Sequence, residues 1–289
     1  MQIVTDSGTD VPFTPQEAAE FNVHIVPLQV ELDGLSYREG VDLQTSRFYE
    51  LLETSAGLPT TSQPSPGDFT ETYRRLAKSD PSILSVHISS GLSGTVNAAR
   101  TAAASVPEAD VQVVDTMTLS VGAGWQVEAA ARAAKAGWSR ERILALLDQL
   151  RESTETMFTL KDLKYLIHGG RISHMKGLIA SLLNIKPLIG VEKEGGTYVQ
   201  LGQMRSFKGA AKGLVDLIAK QHAPGSALRV QVLHSHNPEG AVMLRQEVDK
   251  RFDCTWLPVS PMSLVLGAHT SPSMVGVAYA PLEAFAGMP

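Results

Sequence analysis

Short hydroxyl side chains and glycines fill residues 89–95, which read Ser-Ser-Gly-Leu-Ser-Gly-Thr. Hydroxyl groups such as that of Ser93 are compact hydrogen-bond donors, while Gly91 and Gly94 permit close approach of the backbone to a ligand or a positive φ. An apolar run, residues 83–88, precedes the segment, and apolar residues at helical spacing follow it. We therefore expect a strand, a turn and a helix whose first amides attract an anion. An ordinary capped turn has the same composition, so a purely structural role stays open.

A second hydroxyl-rich segment, residues 58–69, reads Leu-Pro-Thr-Thr-Ser-Gln-Pro-Ser-Pro-Gly-Asp-Phe. Its three prolines favour an extended path, and hydroxyl side chains that include those of Thr61 and Ser62 line that path. Because the prolines restrict the chain, they also restrict where these hydroxyls can go. The alternative is a plain surface linker, which has a similar composition.

Two further polar side chains stand where they could reach such a site. Arg171 follows Gly169 and Gly170, which end a predicted helix, so its guanidinium could extend across a domain junction. His269 is flanked by small residues and followed by Pro272, a setting that favours presentation of the ring toward a cleft. The corresponding alternatives are an exposed arginine at a helix terminus and a satisfied structural histidine.

Other motifs give weaker signals. The turn that holds Asp6 and Asp10 is similar to the aspartate pairs of phosphotransferases, but such turns are more often structural. His234 and His236 could face the same way, yet no third ligand stands at a spacing that indicates zinc. Cys254 is the only cysteine, which excludes an intrachain disulfide and a thiolate cluster and fits a reducing compartment. We expect neither a metal nor a cofactor.

The order of predicted elements indicates an α/β protein with two domains. Strands alternate with helices over residues 1–137, which predicts a doubly wound, mainly parallel sheet covered on both faces. Later residues combine a hairpin, with Gly195 and Gly196 at its turn, with crossover connections, which predicts a mixed sheet packed with helices. We expect an N-terminal domain of residues 1–155 that carries the hydroxyl segments and a C-terminal domain of residues 156–289.

The amino-acid composition limits the classes of molecule that the protein can bind. The chain has 289 residues, of which 43% are hydrophobic and 19% charged, and its net charge is -5. These values fit a globular protein and argue against nucleic-acid binding, which requires a basic face. No stretch of eighteen uncharged apolar residues and no targeting segment is present, so we expect a cytoplasmic protein that does not cross a membrane. Transient contact with a membrane surface stays open.

Taken together, seven segments resemble the DegV family, and they follow one another along nearly the whole chain. They are residues 4–7 (Val-Thr-Asp-Ser), 59–65 (Pro-Thr-Thr-Ser-Gln-Pro-Ser), 88–95 (Ile-Ser-Ser-Gly-Leu-Ser-Gly-Thr), 114–116 (Val-Asp-Thr), 163–171 (ending in Gly-Gly-Arg), 186–187 (Lys-Pro) and 267–270 (Gly-Ala-His-Thr). The resemblance implies a two-domain protein that binds a long-chain fatty acid between its domains. It also implies a carrier that presents the carboxylate to a partner fatty acid kinase, which phosphorylates it with ATP for phospholipid metabolism.

The resemblance also implies particular site residues. The family's carboxylate contacts fall on Thr61 and Ser93, with Arg171 and His269 as polar support, and Ser62 and Gly94 complete the predicted set. The apolar wall is expected from Leu178, Ile179, Leu182, Leu183, Ile185, Leu264, Val265 and Leu266. One departure affects the loop beside the head group: the family often has Gly-Pro-Gly after the His-Thr pair, whereas this chain has Ser271, Pro272 and Ser273.

The competing hypothesis is a serine hydrolase or acyltransferase with Ser93 as nucleophile and the turn amides as oxyanion hole. His87 or His269 would have to supply the base, and no acid partner for either can be named. The segment around Ser93 is also not a Gly-x-Ser-x-Gly elbow. A regulatory module that senses another small acid is a third hypothesis and differs only in the ligand.

Overall fold

The computed structural model describes residues 1–173, 175 and 185–289. Ten helices lie in these ranges: α1 (Pro15–Glu20), α2 (Thr45–Thr54), α3 (Pro66–Ala77), α4 (Thr95–Ala104), α5 (Ser120–Lys135), α6 (Arg140–Ser153), α7 (Lys164–His168), α8 (Phe207–Gln221), α9 (Pro238–Asp249) and α10 (Leu264–Thr270). Short 3-10 turns occur at Ser7–Thr9 and Leu282–Phe285. None of the helices in the described ranges combines the length and apolarity needed to cross a bilayer.

The same ranges contain fourteen strands: β1 (Gln2–Asp6), β2 (Val23–Val26), β3 (Gln29–Leu32), β4 (Leu35–Arg38), β5 (Thr60–Ser62), β6 (Ser82–His87), β7 (Asp110–Asp115), β8 (Glu155–Thr159), β9 (Lys186–Val191), β10 (Tyr198–Met204), β11 (Ala227–His234), β12 (Asp253–Trp256), β13 (Ser260–Pro261) and β14 (Val275–Pro281).

The first sheet is parallel, with the order β2-β1-β6-β7. Successive side chains of a strand point to opposite faces, so Ile3 packs in one apolar cluster with Trp125 of α5. Val4 packs in another cluster with Phe69 and Tyr73 of α3. Helices therefore cover both faces, which confirms the predicted doubly wound architecture.

A small antiparallel sheet, β4-β3-β5, extends the N-terminal half and was not predicted. The alternation of apolar and polar residues over 23–32 predicts a single edge strand, but the chain breaks at Pro27 and places β2 and β3 in different sheets. The proline segment is also more than a linker. Thr61 in β5 pairs with Val30 in β3, and Ser65 caps α3 through a reciprocal capping box with Asp68.

The second sheet is mixed, as predicted, with the order β10-β9-β8-β14-β11-β12 and with β13 beside β11. Strand β8 begins at Glu155, so the predicted domain boundary at 155/156 falls after the first residue of this strand and stays a prediction. Three local patterns of the sequence are misleading. Apolar spacing over 160–167 predicts a helix of that length, but the helix is only α7; residues 256–259 read as a strand, which ends at Trp256; and residues 264–270 form α10, which no pattern predicted. Apolar spacing also predicts a helix over 175–183, a range that lies outside the described residues apart from the buried Met175.

Helix α5 joins the two halves. Its alanine-rich surface is buried almost all round, and small side chains let neighbouring elements approach closely. The indole Nε1 of Trp125 donates to Oε1 of Gln231 in β11 at 2.9 Å. The guanidinium of Arg229 pairs with the carboxylate of Glu128 at 2.5 Å, and both side chains are buried.

Candidate functional site

A cavity lies between the two halves. The predicted residues that line it are Thr61, Ser62, Ser93, Arg171, Val265, Leu266 and His269. Five of the six predicted ligand-binding residues are thus brought to one cavity. Gly94, the sixth, lines an adjoining open cleft that also includes Ser93 and Arg171.

Thr61 and His269 form the hydrogen bond at the polar end of the cavity. Thr61 Oγ1 lies 2.7 Å from Nε2 of His269, which α10 places there almost completely buried. Burial, followed by the positive charge of Arg171 and the nearby His168, lowers the pKa of His269 to about 3. The imidazole is therefore neutral at physiological pH.

The neutral ring has one proton, and its surroundings indicate where that proton lies. Nδ1 of His269 is buried and has no hydrogen-bond partner among the described residues. An orphaned buried N–H is rarer than an orphaned acceptor, so we assign the proton to Nε2, which donates to Thr61 Oγ1. The hydroxyl hydrogen of Thr61 is then free to donate to a ligand.

Ser93 lies at the start of α4. Its Oγ is 2.8 Å from Oγ1 of Thr95 and accepts from the Thr95 backbone N–H at 3.3 Å. Gly94, the N-cap residue, makes no side-chain cap. The first turn of α4 contains no acidic residue, and Ser93 and Gly94 line the open cleft. The positive end of the helix dipole therefore borders this cleft without a carboxylate in its own first turn to neutralise it.

The two glycines of this turn have roles other than those expected. Neither Gly91 nor Gly94 has a positive φ. A β-carbon on Gly91 would lie 2.2 Å from the carbonyl oxygen of Gly195, so Gly91 is required by the β9–β10 hairpin and not by a ligand. At Gly94 a β-carbon would meet the flexible amide of Gln63, so this position has more freedom.

Arg171 is the cationic side chain of the cavity lining. Its Nη1 donates to the carbonyl oxygen of Gly169 at 2.6 Å, and its Nε donates to that of Leu92 at 3.4 Å. These bonds tie the residue after α7 to the loop that carries Ser93. The guanidinium is thereby held beside the hydroxyl groups across the junction, as its position in the sequence suggested.

The rest of the cavity is mostly apolar and was only partly foreseen. Its other lining residues are Leu28, Gln63, Ile88, Leu92, Leu119 and Tyr198. Leu119 and Tyr198 also line a second, largely apolar cavity, so the two spaces share walls. Of the predicted wall, Leu264 lines a different pocket and Ile185 packs partly buried against the main apolar cluster instead of lining the cavity. Leu178, Ile179, Leu182 and Leu183 lie outside the described residues.

Neither histidine proposed as a base is hydrogen-bonded to Ser93. His269 bonds to Thr61. His87 is completely buried, with Nε2 2.7 Å from Ser85 Oγ and Nδ1 2.9 Å from Asp6 Oδ2. The Asp6–His87–Ser85 chain has the residue types of a catalytic triad, which sequence reasoning missed, but Ser85 is sealed from solvent and bonded to Tyr73. A nucleophile needs access to its substrate, so this chain has a structural role.

The acidic turn and the His234/His236 pair also have structural contacts that explain them. Asp6 accepts hydrogen bonds from the backbone N–H groups of Gly8 and Ile88, which fits the structural interpretation of the acidic turn. The ring of His236 stacks on Tyr49 with centroids 4.9 Å apart, and His234 accepts from the Asn237 backbone N–H. In the described part of the chain no group of three potential metal ligands occurs.

The fold and the cavity together define an α/β protein with a candidate ligand site, a cavity whose polar end is built from hydroxyl groups, an imidazole and one guanidinium. The chain belongs to the DegV family: residues 1–282 match the family model described as "Uncharacterised protein, DegV family". A DegV domain-containing protein of Deinococcus radiodurans is 35% identical over 279 residues, which cover 96% of this chain and 95% of the relative.

Two solved structures extend this similarity. A fatty-acid-binding DegV family protein from Thermus thermophilus is 32% identical with a TM-score of 0.87, over 97% of this chain and 99% of the other. The structure of DegV, described as a fatty acid binding protein from Bacillus subtilis, is 30% identical with a TM-score of 0.85, over 96% and 98%.

Proposed function

We propose that this protein binds a long-chain fatty acid, with its carboxylate at Thr61 and Ser93 and its tail in the apolar cavity. The observation that carries the proposal is the Thr61–His269 hydrogen bond at the polar end of an otherwise apolar space. The similarity to proteins described as fatty-acid binding supports the ligand class. The protein acts as a binding protein and not as an enzyme.

The chemistry of the cavity suits an acid with a long apolar tail. Each buried methylene contributes about 0.8 kcal/mol, so a tail of about fifteen gains on the order of 10 kcal/mol before the costs of association. An unpaired carboxylate in the same space would cost several kcal/mol. The hydroxyl hydrogens of Thr61 and Ser93, together with the start of α4, offset this cost without a tight buried ion pair.

The polar end of the cavity also opens outward. Ser93 and Arg171 line both the cavity and the open cleft of about 650 Å³ beside Gly94. A carboxylate held there is accessible to a second protein, which supports presentation to a fatty acid kinase for phosphorylation with ATP. Guanidinium groups favour planar oxyanions and stay charged, so Arg171 suits an acyl phosphate or the kinase itself. A protein with this role acts in the cytoplasm and contributes to phospholipid metabolism.

Organic extraction of the purified protein, followed by mass spectrometry, tests the ligand. We expect a stoichiometric long-chain fatty acid in the wild type and little in the Thr61→Ala/Ser93→Ala variant. The matched control is Thr60→Ala/Ser90→Ala, because both side chains are exposed neighbours of the site residues. Full retention of lipid by the first variant would contradict the assigned head-group site, and recovery of a different small acid would favour the sensor hypothesis.

A serine-directed phosphonate separates binding from catalysis. A serine that only donates a hydrogen bond should not react, whereas an activated nucleophile should. We expect no labelling of Ser93. Covalent labelling at this residue would support the hydrolase hypothesis instead.

A further inference from the structure

Helix α10 carries His269 but makes no side-chain cap at its own start. Its N-cap residue, Ser263, forms no capping bond within the helix. The first four amides of a helix lack partners inside it, and an uncapped end costs stability. With only seven residues, α10 also cannot be held by its own backbone bonds alone.

Two carboxylates from the N-terminal half accept hydrogen bonds from the backbone N–H groups at the start of α10. Asp10 Oδ1 accepts from the Ser263 backbone N–H at 2.8 Å. Glu39, just after β4, accepts through Oε1 from the Leu264 backbone N–H, and through Oε2 from the Ser263 hydroxyl at 2.8 Å. The cap of α10 is therefore assembled across the junction between the two halves.

The same carboxylates are themselves fixed by hydroxyl groups. Ser7 donates to Glu39 Oε2 at 2.7 Å, and its oxygen accepts from the backbone N–H of Leu28, a cavity residue. Ser120 at the start of α5 donates to Asp10 Oδ2. Glu39 and Asp10 thus connect the helix start to two elements that border the cavity.

We propose that Glu39 and Asp10 are positioning residues that set the placement of α10, and through it the hydrogen bond of His269 to Thr61 and the retention of the ligand. The link to retention rests on the proposed fatty-acid function. His269 lies five residues after Leu264, and Val265 and Leu266 of the same helix line the cavity. A rigid helix transmits a shift at its start to all three side chains, and a hydrogen bond of 2.7 Å tolerates little displacement.

The geometry predicts which substitutions are tolerated. In Glu39→Gln the amide oxygen can still accept from the Leu264 N–H, while the amide nitrogen can donate to the two serine hydroxyls, which are able to accept. In Glu39→Ala every acceptor is lost. The glutamine variant should therefore rescue what the alanine variant loses. Glu31→Ala is the matched control, since Glu31 is exposed on β3.

Two measurements are needed, one with ligand and one without. For release of bound oleate, we expect Glu39→Ala to raise the dissociation rate roughly tenfold, and Glu39→Gln and Glu31→Ala to stay within about twofold of wild type. For lipid-free protein, we expect the imidazole ¹⁵N shifts of His269 to show the Nε2–H tautomer in wild type and in Glu39→Gln. In Glu39→Ala they should move toward the average of two exchanging tautomers.

The outcomes separate this proposal from the fatty-acid proposal. If Glu39→Ala leaves both the release rate and the His269 shifts unchanged, the positioning role is wrong. If release accelerates without a change at His269, or if Glu39→Gln behaves like Glu39→Ala, the loss is general destabilisation and the proposal is again overturned. If wild type retains no oleate but the shifts follow the predicted pattern, the interdomain cap stands and the ligand assignment falls.

Discussion

The α-carbon of Gly169 lies directly against the imidazole of His269, so that a β-carbon at position 169 would be 2.0 Å from Nδ1. This contact restricts the ring at Nδ1. On its other side, Nε2 is held by Oγ1 of Thr61 at 2.7 Å. The backbone of Gly169 is in the right-handed helical region, so glycine is needed here for space and not for conformation.

We therefore expect Gly169→Ala to displace His269 and break its bond to Thr61. Overpacking of this kind typically costs about 1–3 kcal/mol. Retention of fatty acid, measured by extraction and mass spectrometry, should fall together with the midpoint of urea unfolding. Gly57→Ala is the control, because a β-carbon there meets no atom within 4 Å. Normal retention by Gly169→Ala would show that the ring can move without consequence.

Ser271 adopts a backbone conformation that normally requires glycine. Its φ is 73° and its ψ is 158°, a region that costs a non-glycine residue about 1–3 kcal/mol. We expect Ser271→Gly to have a free energy of unfolding about 1 kcal/mol higher than Ser271→Ala, because both variants lose the hydroxyl that bonds to Ser273 and only glycine relieves the strain. Ser271→Ala removes the same hydroxyl but keeps the strain, so denaturant unfolding should place it below both other proteins. A glycine variant no more stable than the alanine variant would contradict the strain.

Glu39 should make stability depend on pH in an unusual direction. Burial, together with the negative charge of Asp6, raises its pKa from 4.5 to about 7, although hydrogen bonds from Ser7, Ser263 and Leu264 oppose the shift. Burial also raises the pKa of Asp10. Between pH 4.5 and 7 the folded protein keeps a proton that the unfolded chain releases. Stability from this source is therefore complete below pH 4.5 and is lost as the pH rises through 7.

The size of this effect can be bounded and measured. The shift at Glu39 corresponds to at most about 3 kcal/mol, and because its carboxylate lines an open pocket we expect a loss on the order of 1 kcal/mol. Urea unfolding at pH 5 and pH 8 gives the difference. The Glu39→Gln/Asp10→Asn variant should show a smaller difference between the two pH values than wild type. An equal difference in both proteins would rule out this source.

Arg171 should matter more for phosphorylation of the bound carboxylate than for its binding. We expect Arg171→Ala to reduce acyl-phosphate formation by a fatty acid kinase and ATP roughly tenfold, the loss of one charge-assisted interaction. Retention of lipid should change less, because the tail supplies most of the affinity. Arg171→Lys, which keeps the charge but not the planar fork, should be intermediate. Full acyl-phosphate formation by Arg171→Ala would remove both proposed roles of the guanidinium.

The alternation of strands and helices over residues 1–137 was enough to predict the doubly wound sheet, because parallel neighbouring strands need crossover connections, usually helices, that cover the faces of the sheet. The hydroxyl-rich turn after the strand at 83–88 indicated an anion site at that edge of the sheet. The choice of Thr61 and Ser93 as carboxylate contacts came from the resemblance to the DegV family and stays a prediction, because Thr61 lies in an edge strand that no turn pattern singles out. Leu119 and Tyr198 could not be predicted as cavity walls, because only the packing of two distant elements brings them together. Helix α10 was missed because its cap comes from Asp10 and Glu39, more than two hundred residues earlier in the chain.

The burial of α5 has consequences for how the protein folds and unfolds. Thirteen of its sixteen residues are buried, and the apolar cluster around Trp125 includes side chains from both sheets, such as Val86 and Ala278. Neither half can complete its interior without this shared helix. Cutting the gene between the lobes should therefore yield two insoluble fragments, and the intact chain should melt in a single transition.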